Sequence, residues 1–94
     1  MLSRHVPTVH FTANLRRHVP TPDVSVPAHT VAQALEAIFL SHPTLRSYLL
    51  DDQGAVRRHV SIFVDGEQIR DRTSLRDPVS DRSEIWIMQA LSGG

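Results

Sequence analysis

The stretch from Thr30 to Ser41 constrains the fold most strongly, because it combines a helix start with the apolar spacing of an α-helix. Thr30 and Gln33 form the Thr-x-x-Gln pattern of a capping box, in which a hydroxyl and an amide side chain satisfy free backbone N–H groups. The apolar residues of one helical stripe follow at Val31, Ala34, Leu35, Ile38 and Phe39. Since Pro43 disfavours helical geometry at His42, this main helix is predicted to end near Ser41.

A short second helix is predicted to begin at Pro43, because proline suits the first turn of a helix. It runs to about Leu49, and we expect Leu45, Tyr48 and Leu49 to face inward. The polar segment 51–54 that follows is predicted to be a turn.

Segments with the alternation of β-strands lie on both sides of the helices. The predicted strands cover residues 6–12, 22–26, 57–64, 67–70 and 84–90. The first two are predicted to form a hairpin. The clearest strand is 57–64, and its inward side chains are expected to be Val60, Ile62 and Val64. Asp65–Gly66 then signals a tight turn into the short strand that follows.

This order of elements predicts an α+β fold, a mixed sheet of four to five strands with one main helix across one face. Ile85 and Ile87 are expected to join the core, which leaves Trp86 and Met88 on the uncovered face beside Phe63. Large apolar groups on such a face usually mark an interaction site, so we predict that these three residues bind a partner. The alternatives are that a loop, the second-helix segment or a second copy of the chain covers them.

The composition excludes several classes of function. The 94 residues suffice for one domain, and ten arginines balance ten acidic residues without a pole of charge, so neither nucleic acid nor an anionic membrane is an expected partner. The absence of cysteine rules out disulfides, thiolate metal sites and cysteine nucleophiles. We find no signal-peptide pattern and no run near the roughly 20 apolar residues of a membrane span, and we expect a cytoplasmic protein.

Neither the histidines nor the carboxylates form a pattern typical of a metal or catalytic site. No two of the six histidines have a tight ligand spacing on one element, so no metal is expected. Asp51, Asp52 and Glu67 lie in predicted turns, where solvated charges are the ordinary finding.

The final strand pattern runs through Leu91 and Ser92 directly into Gly93–Gly94. These glycines add neither packing nor a turn. They are therefore either a frayed end or a segment that must be thin and flexible, so that its backbone can come close to another molecule.

Several segments resemble the ubiquitin-like sulfur-carrier proteins. That family includes the small subunit of molybdopterin synthase, the thiazole-synthesis sulfur carrier and the carrier of the phosphoserine-dependent cysteine synthase pathway. The residues that carry the resemblance are Val60–Arg70, Leu75-x-x-Pro78–Asp81, Glu84–Ile87 and Gly93–Gly94. The resemblance extends from Val9 onward.

Other segments most resemble the cysteine-pathway carrier. They are Thr30–Val31, His42–Pro43-x-Leu45–Arg46, the acidic turn and Arg57–Arg58. The chain departs from the family at two places. Family members usually have glycine after the aspartate before the last strand, where this chain has Asp81–Arg82–Ser83, so a different turn is predicted there. Ser92 stands where alanine is common, and it is small enough to be tolerated.

The resemblance implies a β-grasp, ubiquitin-like fold over residues 1–94 with a flexible tail at 91–94. It also implies a carrier rather than an enzyme. An ATP-dependent adenylating enzyme would activate the Gly94 carboxylate, a sulfur donor would displace AMP to leave a thiocarboxylate, and a sulfur-accepting synthase would take the sulfur. Leu91, Ser92 and Gly93 would present the reacting residue, while ATP is used by the partner and no cofactor is bound by the chain itself.

Two other functions remain compatible with the sequence. One is a ubiquitin-like modifier conjugated to target lysines through Gly94, and the other is a non-catalytic ubiquitin-like binding module. The accepting pathway is also open among cysteine, molybdopterin and thiazole types.

Overall fold

Five strands form one mixed sheet in the part of the chain that the computed structural model describes, which is residues 6–12, 15 and 23–89. The elements in chain order are β1 (Thr8–Phe11), β2 (Asp23–Ser25), α1 (Val31–Ser41), α2 (Leu45–Leu49), β3 (Val60–Val64), β4 (Glu67–Gln68) and β5 (Glu84–Gln89). The spatial order of the strands is β2-β1-β5-β3-β4. The predicted α+β fold with a mixed sheet is therefore confirmed.

The last strand in sequence, β5, lies at the centre of the sheet. It is parallel to β1, with Ile85 opposite Val9, and antiparallel to β3, with Ile87 opposite Ile62. The first two strands pair antiparallel, as the predicted hairpin requires. β5 is therefore paired on both edges up to Ile87, and its pairing with β3 alone continues to Gln89.

The main helix begins and ends where the sequence predicts. Thr30 Oγ1 accepts a hydrogen bond from the backbone N–H of Gln33 at 3.2 Å, and Gln33 Oε1 accepts one from the N–H of His29 at 2.7 Å. These bonds satisfy donors at the helix start. At the other end, the N–H of His42 donates to the Ile38 carbonyl at 2.8 Å and closes the helix after Ser41.

One hydrophobic core joins α1 to the inner face of the sheet. The buried side chains of the helix are Val31, Ala34, Leu35, Ile38 and Phe39. They pack in the same cluster as the inward residues of the three central strands, which are Val9, Phe11, Val60, Ile62, Ile85 and Ile87. Each large aliphatic group buried in this way contributes on the order of 1.5–3 kcal/mol to folding. None of the described helices is long and apolar enough to span a membrane.

The second helix buries fewer residues than predicted. Leu45 and Leu49 are fully buried, but Tyr48, which was expected to face inward, is 41% exposed. The helix has only five residues, and it packs on the core through Leu45 and Leu49, which lie one above the other on the same side. Because successive residues of an α-helix are about 100° apart, Tyr48 is turned away from that side.

The strand predicted over 57–64 is also shorter, because its first three positions form a turn. The N–H of Val60 donates to the Arg57 carbonyl at 3.0 Å. Arg72 Nη2 donates to the carbonyls of Arg57 at 2.7 Å and Val60 at 2.9 Å, so these acceptors are satisfied without a neighbouring strand. β4 likewise covers only the first half of the predicted segment 67–70.

The loop before β5 is organised by one carboxylate. Asp71 accepts hydrogen bonds from the backbone N–H groups of Ser74, Thr73 and Arg76 at 2.9–3.2 Å. The bond from Ser74 is the main cause that lowers the pKa of Asp71, since these donors stabilise the ionised carboxylate. Leu75 is held there at φ 58° and buried in the core.

The two turns flanking the last strands differ in backbone geometry. Asp65 and Gly66 both have positive φ, 51° and 87°, as expected for a tight hairpin turn. No residue of the turn at 80–83 has positive φ. Ser83 Oγ instead accepts the N–H of Ser80 at 2.8 Å, so glycine is not required at Arg82.

Candidate partner-binding surface

The outer face of the sheet carries large apolar side chains on its central strands. Trp86 and Met88 of β5 are 37% and 39% exposed, and Phe63 of β3 is half-buried. Phe63 lies directly opposite Trp86, and Ser61 lies opposite Met88. We call Phe63, Trp86 and Met88 the exposed apolar face. No helix or loop of the described residues covers it fully.

Trp86 is partly covered by a histidine that the sequence analysis did not assign to this surface. His10 of β1 lies opposite Trp86, and the two rings stack with centroids 4.3 Å apart and planes 17° apart. Its Nδ1 is 2.6 Å from Asp23 Oδ1, and its Nε2 is 2.9 Å from Glu84 Oε1. Each ring nitrogen of His10 is thus within hydrogen-bonding distance of one carboxylate.

This row of side chains stiffens the surface around the tryptophan. The two carboxylates fix the orientation of His10, and the stacked imidazole covers one side of the indole ring. The alternation of β1 places His10 on the outer face, but its partners depend on the parallel register of β1 with β5 and the pairing with β2. Sequence analysis missed this arrangement because strand order and register are set by tertiary structure.

The remaining predicted site residues follow β5. Leu91, Ser92, Gly93 and Gly94 lie outside the described residues. The structure does describe the residue at which β5 ends before this segment. That residue, Gln89, lies opposite Val60 of β3. The exposed apolar face thus shares the strand that leads into the predicted tail.

The described residues offer no metal centre. They contain no group of three or more histidine or carboxylate side chains arranged to hold an ion. Asp51, one of the carboxylates considered in the sequence, accepts the N–H groups of Gln53 at 2.8 Å and Ala55 at 3.1 Å and so shapes its own turn.

Comparison with known proteins assigns the family. The sequence model of the ThiS family matches residues 9–94. The chain belongs to the ThiS family. The predicted ubiquitin-like sulfur-carrier family and its β-grasp fold are thereby confirmed. A comparison with curated proteins gave no match.

Solved structures share the fold of this ThiS-family chain. The small archaeal modifier protein 1 of Methanosarcina acetivorans has a TM-score of 0.81 at 25% identity, with 97% of this chain and 98% of that chain covered. The Amycolatopsis orientalis BexX/CysO complex contains a chain with a TM-score of 0.82 at 24% identity, covering 94% and 99%. Mycobacterium tuberculosis CysO has a TM-score of 0.79 at 24% identity, covering 90% and 99%.

The family and the surface together indicate the general function of the chain. It is a ubiquitin-like sulfur carrier or modifier, and the BexX/CysO complex shows one protein of this fold in contact with a partner protein. Among the described residues, the exposed apolar face is the part of the sheet suited to such a contact.

Proposed function

We propose that this protein carries sulfur as a thiocarboxylate on Gly94 and serves as a co-substrate of other enzymes rather than as a catalyst. The observation that carries the proposal is the ThiS-family match, which extends over residues 9–94 and so includes Gly93–Gly94. The partners are an ATP-dependent adenylating enzyme and a sulfur-accepting synthase.

The chemistry requires activation because a carboxylate is a poor electrophile. The Gly94 carboxylate attacks the α-phosphorus of ATP on the partner, forms an acyl adenylate and releases pyrophosphate. A sulfide equivalent from a donor then attacks the acyl carbon, and AMP leaves with one of the former carboxylate oxygens. The product is a thiocarboxylate whose sulfur is a nucleophile, and the absence of cysteine leaves no internal thiol to compete for the activated end.

The structure supports this proposal through the mounting of β5. Ile85 and Ile87 are fully buried, and hydrogen bonds to β1 and β3 hold the strand on both edges. A rigid strand before Leu91–Gly94 lowers the conformational entropy that is lost when a partner takes Gly94 into its active site. The exposed apolar face on the same strand gives that partner a place to bind.

We propose a cysteine-biosynthesis type of acceptor in preference to the molybdopterin or thiazole types. The support is the sequence resemblance at His42–Pro43 and Arg57–Arg58, together with the fold shared with CysO of Mycobacterium tuberculosis. Mass spectrometry of the protein isolated from its own cells tests the carrier chemistry. We expect a mass increase equal to the difference between sulfur and oxygen on the peptide that contains Gly94.

Removing Gly94 tests the reacting residue directly. We expect the variant that lacks Gly94 to lose ATP–pyrophosphate exchange with the adenylating enzyme, because the remaining carboxylate is one residue short of the catalytic position. Thermal unfolding should be unchanged. The matched control is Ser92→Ala, which keeps the length of the tail and should retain exchange. Exchange at the wild-type rate without Gly94 would refute the assignment.

A second candidate function is protein modification. It is favoured by the similarity to the small archaeal modifier protein 1 at 25% identity. Here a lysine amine of a target would attack the activated Gly94 carbon to form an amide, with loss of the leaving group. Conjugates that contain Gly94 joined to a lysine of another protein would establish this role, and their absence alongside a thiocarboxylate would exclude it.

A further inference from the structure

A basic cavity of about 600 Å³ lies beside the exposed apolar face. Its charged lining consists of Arg57, Arg58 and Arg72, with a single carboxylate, Asp51, among the described residues around it. His59 also lines the cavity. The cavity therefore has an excess of positive charge in a chain whose net charge is zero.

The positive charge of this cavity is not neutralised within the described part of the chain. None of its three arginines forms an ion pair there, whereas Arg46 pairs with Glu36 at 2.9 Å. Arg57 Nε donates to the Ser47 carbonyl at 2.7 Å, and the carbonyls bound by Arg72 are likewise uncharged. Bonds of this kind hold the guanidinium groups in place without removing their charge.

The same bonds fix the loop that presents Arg58 and His59. The N–H of Arg57 donates to the Leu49 carbonyl at 2.9 Å, and Arg72 bonds to the carbonyls on both sides of the exposed pair. Both Arg58 and His59 are exposed at the tip of this loop. A loop whose backbone is already fixed loses less conformational freedom when its side chains bind a partner.

The cavity is continuous with the surface that leads to the tail. Ser61 lines the cavity and lies opposite Met88, and Val60 at the end of the basic loop lies opposite Gln89. A protein that contacts Met88 therefore lies next to the lining of the basic cavity at Ser61.

We propose that the basic cavity binds an acidic segment of the protein that engages the exposed apolar face. The polar, charged lining differs from the mostly apolar lining of small-molecule sites, while arginines at an interface rim steer and align a partner of opposite charge. The identity of that protein as the adenylating enzyme rests on the proposed function. The recognition chemistry, arginine to carboxylate, rests on the cavity alone.

The test is a titration of the full chain with a capped hexaglutamate peptide. The amide chemical shifts of the protein, measured by NMR, report binding. We expect shifts at residues 57–61 that weaken as salt rises. Arg58→Glu should lower the affinity about fivefold or more, since losing one attraction and adding one repulsion at an exposed site amounts to about 1 kcal/mol. The matched control is Arg82→Glu, which makes the same charge change in the turn before β5, at the other end of that strand.

Three results would overturn the proposal. One is a peptide that shifts no residue of the cavity, and another is an equal loss of affinity in Arg58→Glu and Arg82→Glu, which would show a response to net charge alone. The third is inorganic phosphate that competes as strongly as the peptide, which would indicate a site for a free anion. Because the titration contains no nucleotide and no activated Gly94, its failure is distinct from a failure of the pyrophosphate exchange.

Discussion

The two faces of β5 differ in burial at every neighbouring position from Ile85 to Met88. Ile85 and Ile87 are completely buried, while Trp86 and Met88, in alternation with them, keep more than a third of their surface in solvent. One strand thus contributes its inner side chains to the core and leaves its outer side chains available for the proposed partner. We therefore expect substitutions at adjacent residues of β5 to affect different properties, stability on the inner face and partner binding on the outer face.

Ile87→Ala should produce the largest effect, a loss of folding stability. Truncating a fully buried isoleucine at the centre of the sheet is expected to lower the free energy of unfolding by about 2–5 kcal/mol. Urea denaturation followed by circular dichroism measures this loss. A change below about 1 kcal/mol would show that the inner face is not the main source of stability, contrary to its burial.

Trp86→Ala should chiefly weaken partner binding. We expect a loss of about 2 kcal/mol in affinity for the adenylating enzyme, or roughly 30-fold in Kd, because exposed tryptophans are frequent anchors of interfaces. Isothermal titration calorimetry provides the measurement. Leu40→Ala on α1 is the matched control, since Leu40 is 88% exposed and lies outside the sheet. Equal effects of both substitutions on Kd would remove the distinction between the outer face and the rest of the surface.

His10→Ala tests the outer face separately, because it removes the stacking partner of Trp86 without substituting a residue of β5. We expect a loss of stability of about 0.5–1.5 kcal/mol from the ring contact, with weaker binding of the partner as the indole becomes less fixed. Thermal unfolding and calorimetry measure the two effects. His10→Phe, which keeps a ring but not the bonds to Asp23 and Glu84, separates the effect of stacking from that of hydrogen bonding.

Asp71→Asn should have the smallest effect and reports on the loop that anchors the inner face. Because the folded pKa of Asp71 lies below its ordinary value, the ionised carboxylate stabilises the fold above about pH 3.9. That stabilisation is lost as the pH falls through the lowered folded pKa. In the variant, the free energy of unfolding should depend less on pH in the acid range. Urea denaturation at a series of pH values from neutral to acid measures this dependence. An unchanged pH dependence would contradict this role.

Local sequence patterns predicted most elements of the fold. The capping residues Thr30 and Gln33 set the start of α1, and the apolar stripe predicted which side of it is buried. The alternation of β5 predicted its buried side at Ile85 and Ile87. These features succeed because a helix start and a strand period depend on neighbouring residues.

Other predictions failed where distant residues decide the outcome. Positions 57–59 alternate like a strand, yet Arg72 donates to the carbonyl groups of Arg57 and Val60, and a turn forms between them. Tyr48 was expected to face inward, yet the core lies along the line that joins Leu45 and Leu49, and Tyr48 is turned away from it. In each case the outcome depends on which surface the rest of the chain presents to the segment.

The sequence by itself determined the α+β class, the buried stripe of α1 and the alternation of β5, because each follows from the period of apolar residues along the chain. Tertiary structure alone decided that β5 lies between β1 and β3, which brings His10 onto Trp86. It also decided that Arg72 bonds to the carbonyls of Arg57 and Val60, which gathers Arg57, Arg58 and Arg72 around one cavity. The physical reason is that strand order and register are selected by packing over the whole core. No local pattern specifies them.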